Sequence, residues 1–124
     1  DWEIFCRWAQ AAGVEIRLDG KLPGAGRACD LLIAAAAEAL TNAVRHAKAD
    51  SLYVYICREG GMLQVRFCNN GVPPEQNITE GGGLGALRLQ VEEAGGSMQI
   101  LSVPQFVLIL LIPEEEEENG WYEY

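Results

Sequence analysis

Residues 38–47 read E-A-L-T-N-A-V-R-H-A, so a carboxylate, an amide, a guanidinium and an imidazole crowd one short alanine-rich run. On a helix turning ~100° per residue, with Glu38 at zero, Asn42 falls near +40°, His46 near +80° and Arg45 near −20°. Ile33, Ala36, Leu40, Val44 and Ala47 take the opposite side. Such a helix is amphipathic with a polar stripe of mixed chemistry. A solvated surface face gives a similar pattern, but it tends to be rich in Lys and Glu, and Asn is a poor helix-interior residue. A second stretch with chemical content is Gly81-Gly82-Gly83, ahead of the run L-G-A-L-R-L-Q-V. Glycines there let backbone N–H groups approach phosphate oxygens, and the helix N-terminus favours an anion. A flexible connection has the same composition.

The totals limit what these groups can serve. The formal charge is −9, five units of it from the run 114–118, which leaves about −4 on the body. An acidic body argues against nucleic acid and against an anionic membrane, since both require basic patches. A nucleotide site would need local positive charge or a divalent metal against its phosphates. Cys6, Cys29, Cys57 and Cys68 form no C-x-x-C pair, and a single histidine does not complete a zinc set with them. They read as free, buried thiols of a reducing compartment. No stretch has the form of a signal peptide, and the longest apolar runs, 31–37 and 106–112, fall far short of the ~20 residues of a membrane span. The expectation is a cytoplasmic piece, with no membrane contact of its own, that can belong to a membrane-anchored receptor.

The elements that must position these groups follow from periodicity. Helical spacing of Trp2, Phe5, Trp8 and Ala9 predicts a helix over 1–12, stopped by Gly13. Residues 14–20 alternate Val14, Ile16 and Leu18 with polar residues, as a strand does; 20–26 is loop, and a helix follows over 27–47. Two alternating runs flank Gly60-Gly61 within 51–69, predicting a hairpin with Val54 opposite Phe67 and Ile56 opposite Val65 on one face. Cys68 then faces Tyr53, and Cys57 sits ~13 Å further along, too far for a disulfide between the two. A polar, glycine-rich connection covers 69–85. A helix carrying Leu84, Leu87, Leu89 and Val91 ends at Gly95-Gly96. Strands over 97–103 and 105–113 complete the order, the second apolar throughout and expected to be central. One domain over 1–113 and an acidic tail over 114–124 result, with an α+β fold: a two-layer sandwich whose mixed, mostly antiparallel sheet is packed by helices on one face.

Polar helix stripe, a strand ending in Asn69-Asn70-Gly71, then a glycine loop opening a helix: this ordered set resembles the ATP-binding catalytic domain of sensor histidine kinases, within the GHKL superfamily. The nearest resemblance is to the subfamily that works with NarL-type response regulators. E-A-L-T-N-A-V-R-H-A-K-A looks like its N box, N-N-G its first glycine box, and G-G-G-L-G-A-L-R-L-Q-V-E-E-A-G-G its second. The likeness covers roughly 27–113 and implies a Bergerat-type sandwich. It implies ATP and Mg²⁺ as cofactors, with Asn42 ligating the Mg²⁺ and Glu38, the catalytic residue, polarising the attacking group. Arg45 and His46 would line the phosphates, although His46 reads equally as a surface histidine; Lys48 reads as a solvated helix-end cation. Asn69 takes the place of an aspartate that reads adenine, Gly71 would let the base approach, and Gly81, Gly83, Leu84 and Gly85 would shape the lid and present the helix start to the phosphates. The implied partners are a histidine-bearing dimerisation domain of the parent chain and, through the whole kinase, a response regulator.

The sequence departs from that pattern at four places near one pocket. Asn69 replaces the aspartate, Pro73 a glycine of the first box, Ala86 the last glycine of the second, and Gln105-Phe106 a Gly-Thr pair. Two alternatives therefore stand beside the kinase reading: a degenerate module of the same fold used for docking or dimer control, and an anti-sigma-factor serine kinase, which shares the N box.

Overall fold

The computed structural model describes residues 1–75 and 80–114; the acidic run beyond Glu114 lies outside them. Helix α1 spans Trp2–Ala11 and starts where the Asp1 carboxylate accepts from the Ile4 N–H at 2.9 Å, filling one of the helix's orphan donors. Phe5 and Ala9 are its buried pair, and Trp2 packs beside Phe5, whereas Trp8 stays 63% exposed. Strand β1, Glu15–Asp19, is an edge strand whose inward row thins toward solvent: Val14 just before it is buried, Ile16 half-buried and Leu18 exposed. Helix α2, Arg27–Asn42, then crosses over the sheet and continues through a wider π-type turn at Ala43–Ala47. It returns the chain into β2, Ser51–Glu59, parallel to β1, which is why the connection needs a full helix.

The hairpin of β2 and β3 (Met62–Asn69) has the predicted register: Val54 faces Phe67, Ile56 faces Val65 and Tyr53 faces Cys68. Helix α3, Gly82–Glu93, starts two residues earlier than the Leu84 expectation. Only its Leu87 and Val91 are fully buried; Leu89, off that face, is 63% exposed. Strands β4, Ser97–Leu101, and β5, Val107–Pro113, pair antiparallel, and the sheet order is β1-β2-β3-β5-β4. The central place thus falls to β3. β5 is an interior strand with one buried face (Leu108, Leu110, Ile112), while Leu111 on its other face is 38% exposed.

All three helices lie on one face. The core runs between Leu32, Ala35, Ala36 and Ala39 of α2 and the inward rows Leu52, Val54, Ile56 and Leu63, Val65, Phe67. Alanines on α2 let its axis settle close to the sheet, so side chains at the edge of its buried face are pressed against neighbouring loops. Among the described residues no helix covers the opposite sheet face, where Arg66 lies over the Tyr55 ring at 5.2 Å. All four cysteines are free, but none is fully buried: Cys57 is exposed and Cys6, Cys29 and Cys68 are intermediate, contrary to the buried thiols expected. Glu114, first of the acidic run, belongs to the folded body, since Arg58 holds its carboxylate with two bonds of 2.7 and 3.0 Å and its N–H donates to Gly61 at 2.9 Å. No helix among the described residues is long and apolar enough to cross a membrane.

Candidate functional site

The buried stripe of α2 passes through Leu32, Ala35, Ala39 and Ala43. That line lies between the polar stripe and the Leu40–Val44 side, so Val44 is 41% exposed and Leu40 only half-buried. Glu38 and Asn42 are half-buried at the border of the stripe, one turn apart. The uninterrupted helix of the sequence reading would carry His46 onto the buried side as well. In the π-type turn each residue advances less than ~100°, and both Arg45 and His46 are exposed. Lys48 closes the turn with φ +52° and is exposed, and its N–H and that of Ala49 both reach the Ala43 carbonyl.

Two loops land on α2, one at each end of this segment. A methyl group at Gly83 would collide with the Glu38 carboxylate, so the glycine loop lies directly against the acid. A methyl group at Gly71 would collide with the Ala47 carbonyl, and the Val72 N–H donates to that same carbonyl at 2.8 Å. Nine residues separate the two landing points, ~13 Å at helical rise, and Asn42 stands between them. The expected approach of the long helix to the glycine loop is seen as the Gly83–Glu38 contact; the seat of Gly71 on Ala47 is a second approach that the sequence reading did not include.

The glycine loop is held from the far side. Arg88 of α3 grips Glu80 through two nitrogens, one bond measuring 2.6 Å, and donates its third to the Met98 carbonyl at 2.7 Å. This bidentate pairing holds the Glu80 carboxyl below the usual carboxylate range, chiefly through the Arg88 hydrogen bond. Gly81 occupies the capping position of α3 and has no side chain to accept from the first turn, whose N–H groups are left to other acceptors. Gly82 adopts φ +53°, Leu84 and Gly85 are half-buried, and Ala86 is exposed.

The other end is built differently. Asn69 closes the inward row of β3 after Leu63, Val65 and Phe67, and is only 5% exposed. Its amide oxygen accepts from the Gly71 N–H at 2.9 Å, while its Nδ2 is buried with no partner. Phe106 precedes Val107, the partner of Cys68, so the ladder brings it level with Asn69, where it is 2% exposed and part of the core. Pro73 is exposed. Asn70 has a role sequence reasoning missed. Its oxygen accepts from the Asp50 and Ser51 N–H groups at 3.1 and 3.0 Å and its Nδ2 donates to Asp50 at 2.6 Å, clamping the exit of α2 to the end of β3. The doubled asparagine before glycine is the available signal, since Asx side chains bond nearby backbone.

For a magnesium nucleotide, the donor set suits the Glu38–Asn42 end of this segment. Glu38 and Asn42 offer hard oxygens, and Mg²⁺ takes one or two protein ligands alongside phosphate and water. The Gly83 backbone leaves the Glu38 carboxylate room that any side chain would fill. Asn69 fits less simply, with a donor where a carboxylate would accept.

No family model matches the chain. Solved structures do resemble it. The histidine kinase domain of the blue-light activated histidine kinase EL346 from Erythrobacter litoralis superposes with a TM-score of 0.69 at 18% identity, covering 90% of this chain and 64% of that one. The longer structure of that light-activated kinase gives 0.63 at 18%, covering 91% and 41%. The Acinetobacter baumannii histidine kinase AdeS gives 0.62 at 16%, covering 94% and 66%. The chain thus spans less than two thirds of the length of each. These likenesses establish a histidine-kinase-like, Bergerat-type fold: an α+β two-layer sandwich with helices on one face of a mixed, mostly antiparallel sheet.

Proposed function

We propose that residues 1–113 form the catalytic domain of a two-component sensor histidine kinase, of the subfamily working with NarL-type regulators, and that the cleft beside α2 binds a magnesium nucleoside triphosphate. The reading rests foremost on one contact: the Gly83 backbone against the Glu38 carboxylate, joining the two motifs that have to cooperate. Asn42, one turn along, would hold the Mg²⁺ through its amide oxygen. Bound there, the ion would offset phosphate charge that an acidic body does not neutralise. Arg45 and His46, both exposed at the mouth, would face the phosphates, and the first-turn N–H groups of α3 beyond Gly81, from Gly83 through Leu84 and Gly85, would receive them. Glu38 would orient the attacking group, with its own position set by Gly83. Such transfer depends on placement and electrostatics more than on covalent chemistry by the protein. His46, the only histidine of the chain, sits on α2 among these groups. The acceptor histidine would therefore come from a dimerisation segment elsewhere in the parent protein, and a response regulator would follow it. A cytoplasmic location suits both partners.

A second reading has its own observation. Phe106 is buried level with Asn69 and adds core volume where the sequence pattern implied a Gly-Thr pair. A domain whose base pocket is filled in this way would keep the fold and serve docking or dimer control.

Calorimetric titration of the whole chain with Mg-ATP, Mg-GTP and Mg-ITP separates the two. Saturable binding of any of these, lost by at least ~100-fold in Asn42→Ala with stability changed by no more than about 1 kcal/mol, supports the nucleotide site. No binding at millimolar concentration, or binding that survives the substitution, overturns it or its metal assignment respectively.

A further inference from the structure

Two carboxylates flank the start of α3, and they are held differently. Glu38 rests against Gly83 in the first turn. Glu80 directly precedes Gly81, the capping residue, and its carbonyl lies 3.6 Å from where a side chain at Gly85 would begin, so it too runs beside that turn. Gly81 offers no side chain to the first-turn N–H groups, and the turn contains no acid of its own. Such a helix start attracts a nearby anion, and Glu80 is its nearest carboxylate in sequence. That carboxylate is bonded instead to Arg88, which takes both of its oxygens on the flank of the helix. The guanidinium is itself fixed: its remaining nitrogen donates to the Met98 carbonyl of β4 at 2.7 Å and lies 3.9 Å from the Glu92 carboxylate. A bidentate charged pair outweighs the pull of a helix start on the same acid.

We propose that Arg88 is a positioning residue of the nucleotide site: by holding Glu80 on the flank of α3, it keeps a built-in anionic competitor off the helix start that the phosphates would use. This rests on the nucleotide reading above and names a control on that same site. Released from Arg88, the Glu80 carboxylate needs only rotation about its own side-chain bonds to turn toward the first-turn N–H groups. It would then occupy donors that phosphate oxygens require and add a second negative charge beside Glu38, where a triphosphate already brings several. A held competitor differs from a strap that merely anchors the glycine loop. A strap fails when either partner is removed, whereas the competitor does harm only while its carboxylate survives.

A double-mutant cycle on the whole chain separates the two, read by thermal melts and by calorimetry with the tightest-binding of Mg-ATP, Mg-GTP and Mg-ITP. Arg88→Met is expected to weaken binding about tenfold, the scale of one charge at a helix start. Glu80→Ala removes the same contact and is expected to bind within about twofold of wild type, and the two substitutions together to return binding to within about threefold of it. All three variants lack the ion pair and should melt at or below the wild-type temperature, so affinity is restored where stability is not. Should Arg88→Met fail to give a cooperative melt, Arg88→Lys replaces it; lysine lacks the fork that grips both oxygens, and a loss of about threefold is expected that Glu80→Ala removes. A loss in Glu80→Ala as large as in the Arg88 variant, or a combined variant no better than the Arg88 variant alone, means a strap and overturns the proposal. Wild-type affinity in the Arg88 variant overturns it too, and each of these outcomes leaves the nucleotide site standing. Binding of none of the three nucleotides by the wild type overturns both.

Discussion

The two loop contacts on the helical segment from Glu38 to Ala47 are made from different material. At the Glu38 end, surface glycines of a loop rest on a half-buried acid, and the groups in contact are backbone and a flexible carboxylate. At the Ala47 end, Asn69 and Phe106 are continuous with the core, and Gly71 fits against a carbonyl. The first end carries Glu38 and Asn42 as the resemblance implies; the second holds Asn69 and Phe106 where the resemblance implies an aspartate and a threonine. A surface contact can be altered with little loss of stability, whereas a core position can change only if its neighbours still pack. The base end, if it binds, must therefore do so with residues that also hold the fold together.

That contrast can be broken in steps of decreasing size. Phe106→Ala removes a fully buried ring and is expected to destabilise the chain by about 3–4 kcal/mol, read by urea denaturation. A loss below about 1 kcal/mol would mean the ring is not core and that the two ends are alike. Gly83→Ala should do the opposite. Its methyl meets the tip of a side chain that can swing away, and alanine is the better helix former, so the melting temperature should hold or rise slightly. Nucleotide affinity or turnover should nevertheless fall about tenfold as Glu38 is displaced, a scale set by misplaced catalytic groups. Unchanged binding and turnover would detach the glycine loop from the site.

The smallest effect concerns the anchor of that loop. Glu80 has its carboxyl lowered by Arg88, so its contribution to stability is present above the ordinary carboxylate range and disappears as pH falls through the depressed value. Wild type should exceed Glu80→Gln by about 0.5–1 kcal/mol at neutral pH, as for a partly exposed pair, and the gap should close under acid. A gap that persists at pH 3 would show that the contact stabilises by packing and not by charge.

Local pattern made much of this legible. The hairpin register follows from alternation around Gly60-Gly61, and the span of α2 from its alanine-rich periodicity. The sheet order, the seat of Gly83 on Glu38 and the anchoring of Glu80 are contacts between distant segments, which no local period encodes. The widening at 43–47 has no compositional mark, and it is what exposed His46. Phe106 reads in sequence as a departure from a motif, whereas its packing with the core is the more informative property. Asn69 stands out in sequence by its place before Asn70-Gly71, but the unpartnered state of its nitrogen depends on segments that come together only in the fold.

The widened turn also decides which side chains face outward. It takes in one residue more than an ordinary turn, so excising a residue from 43–47 would restore plain α-helix and leave Ala47 near its present angle and height, since five narrow steps and four ordinary ones reach about the same place. Gly71 would keep its seat, and the clamp from Asn70 to Asp50 its line. The surplus residue thus governs which side chains the turn shows to solvent, Arg45 and His46 among them, and not the distance between the two loops.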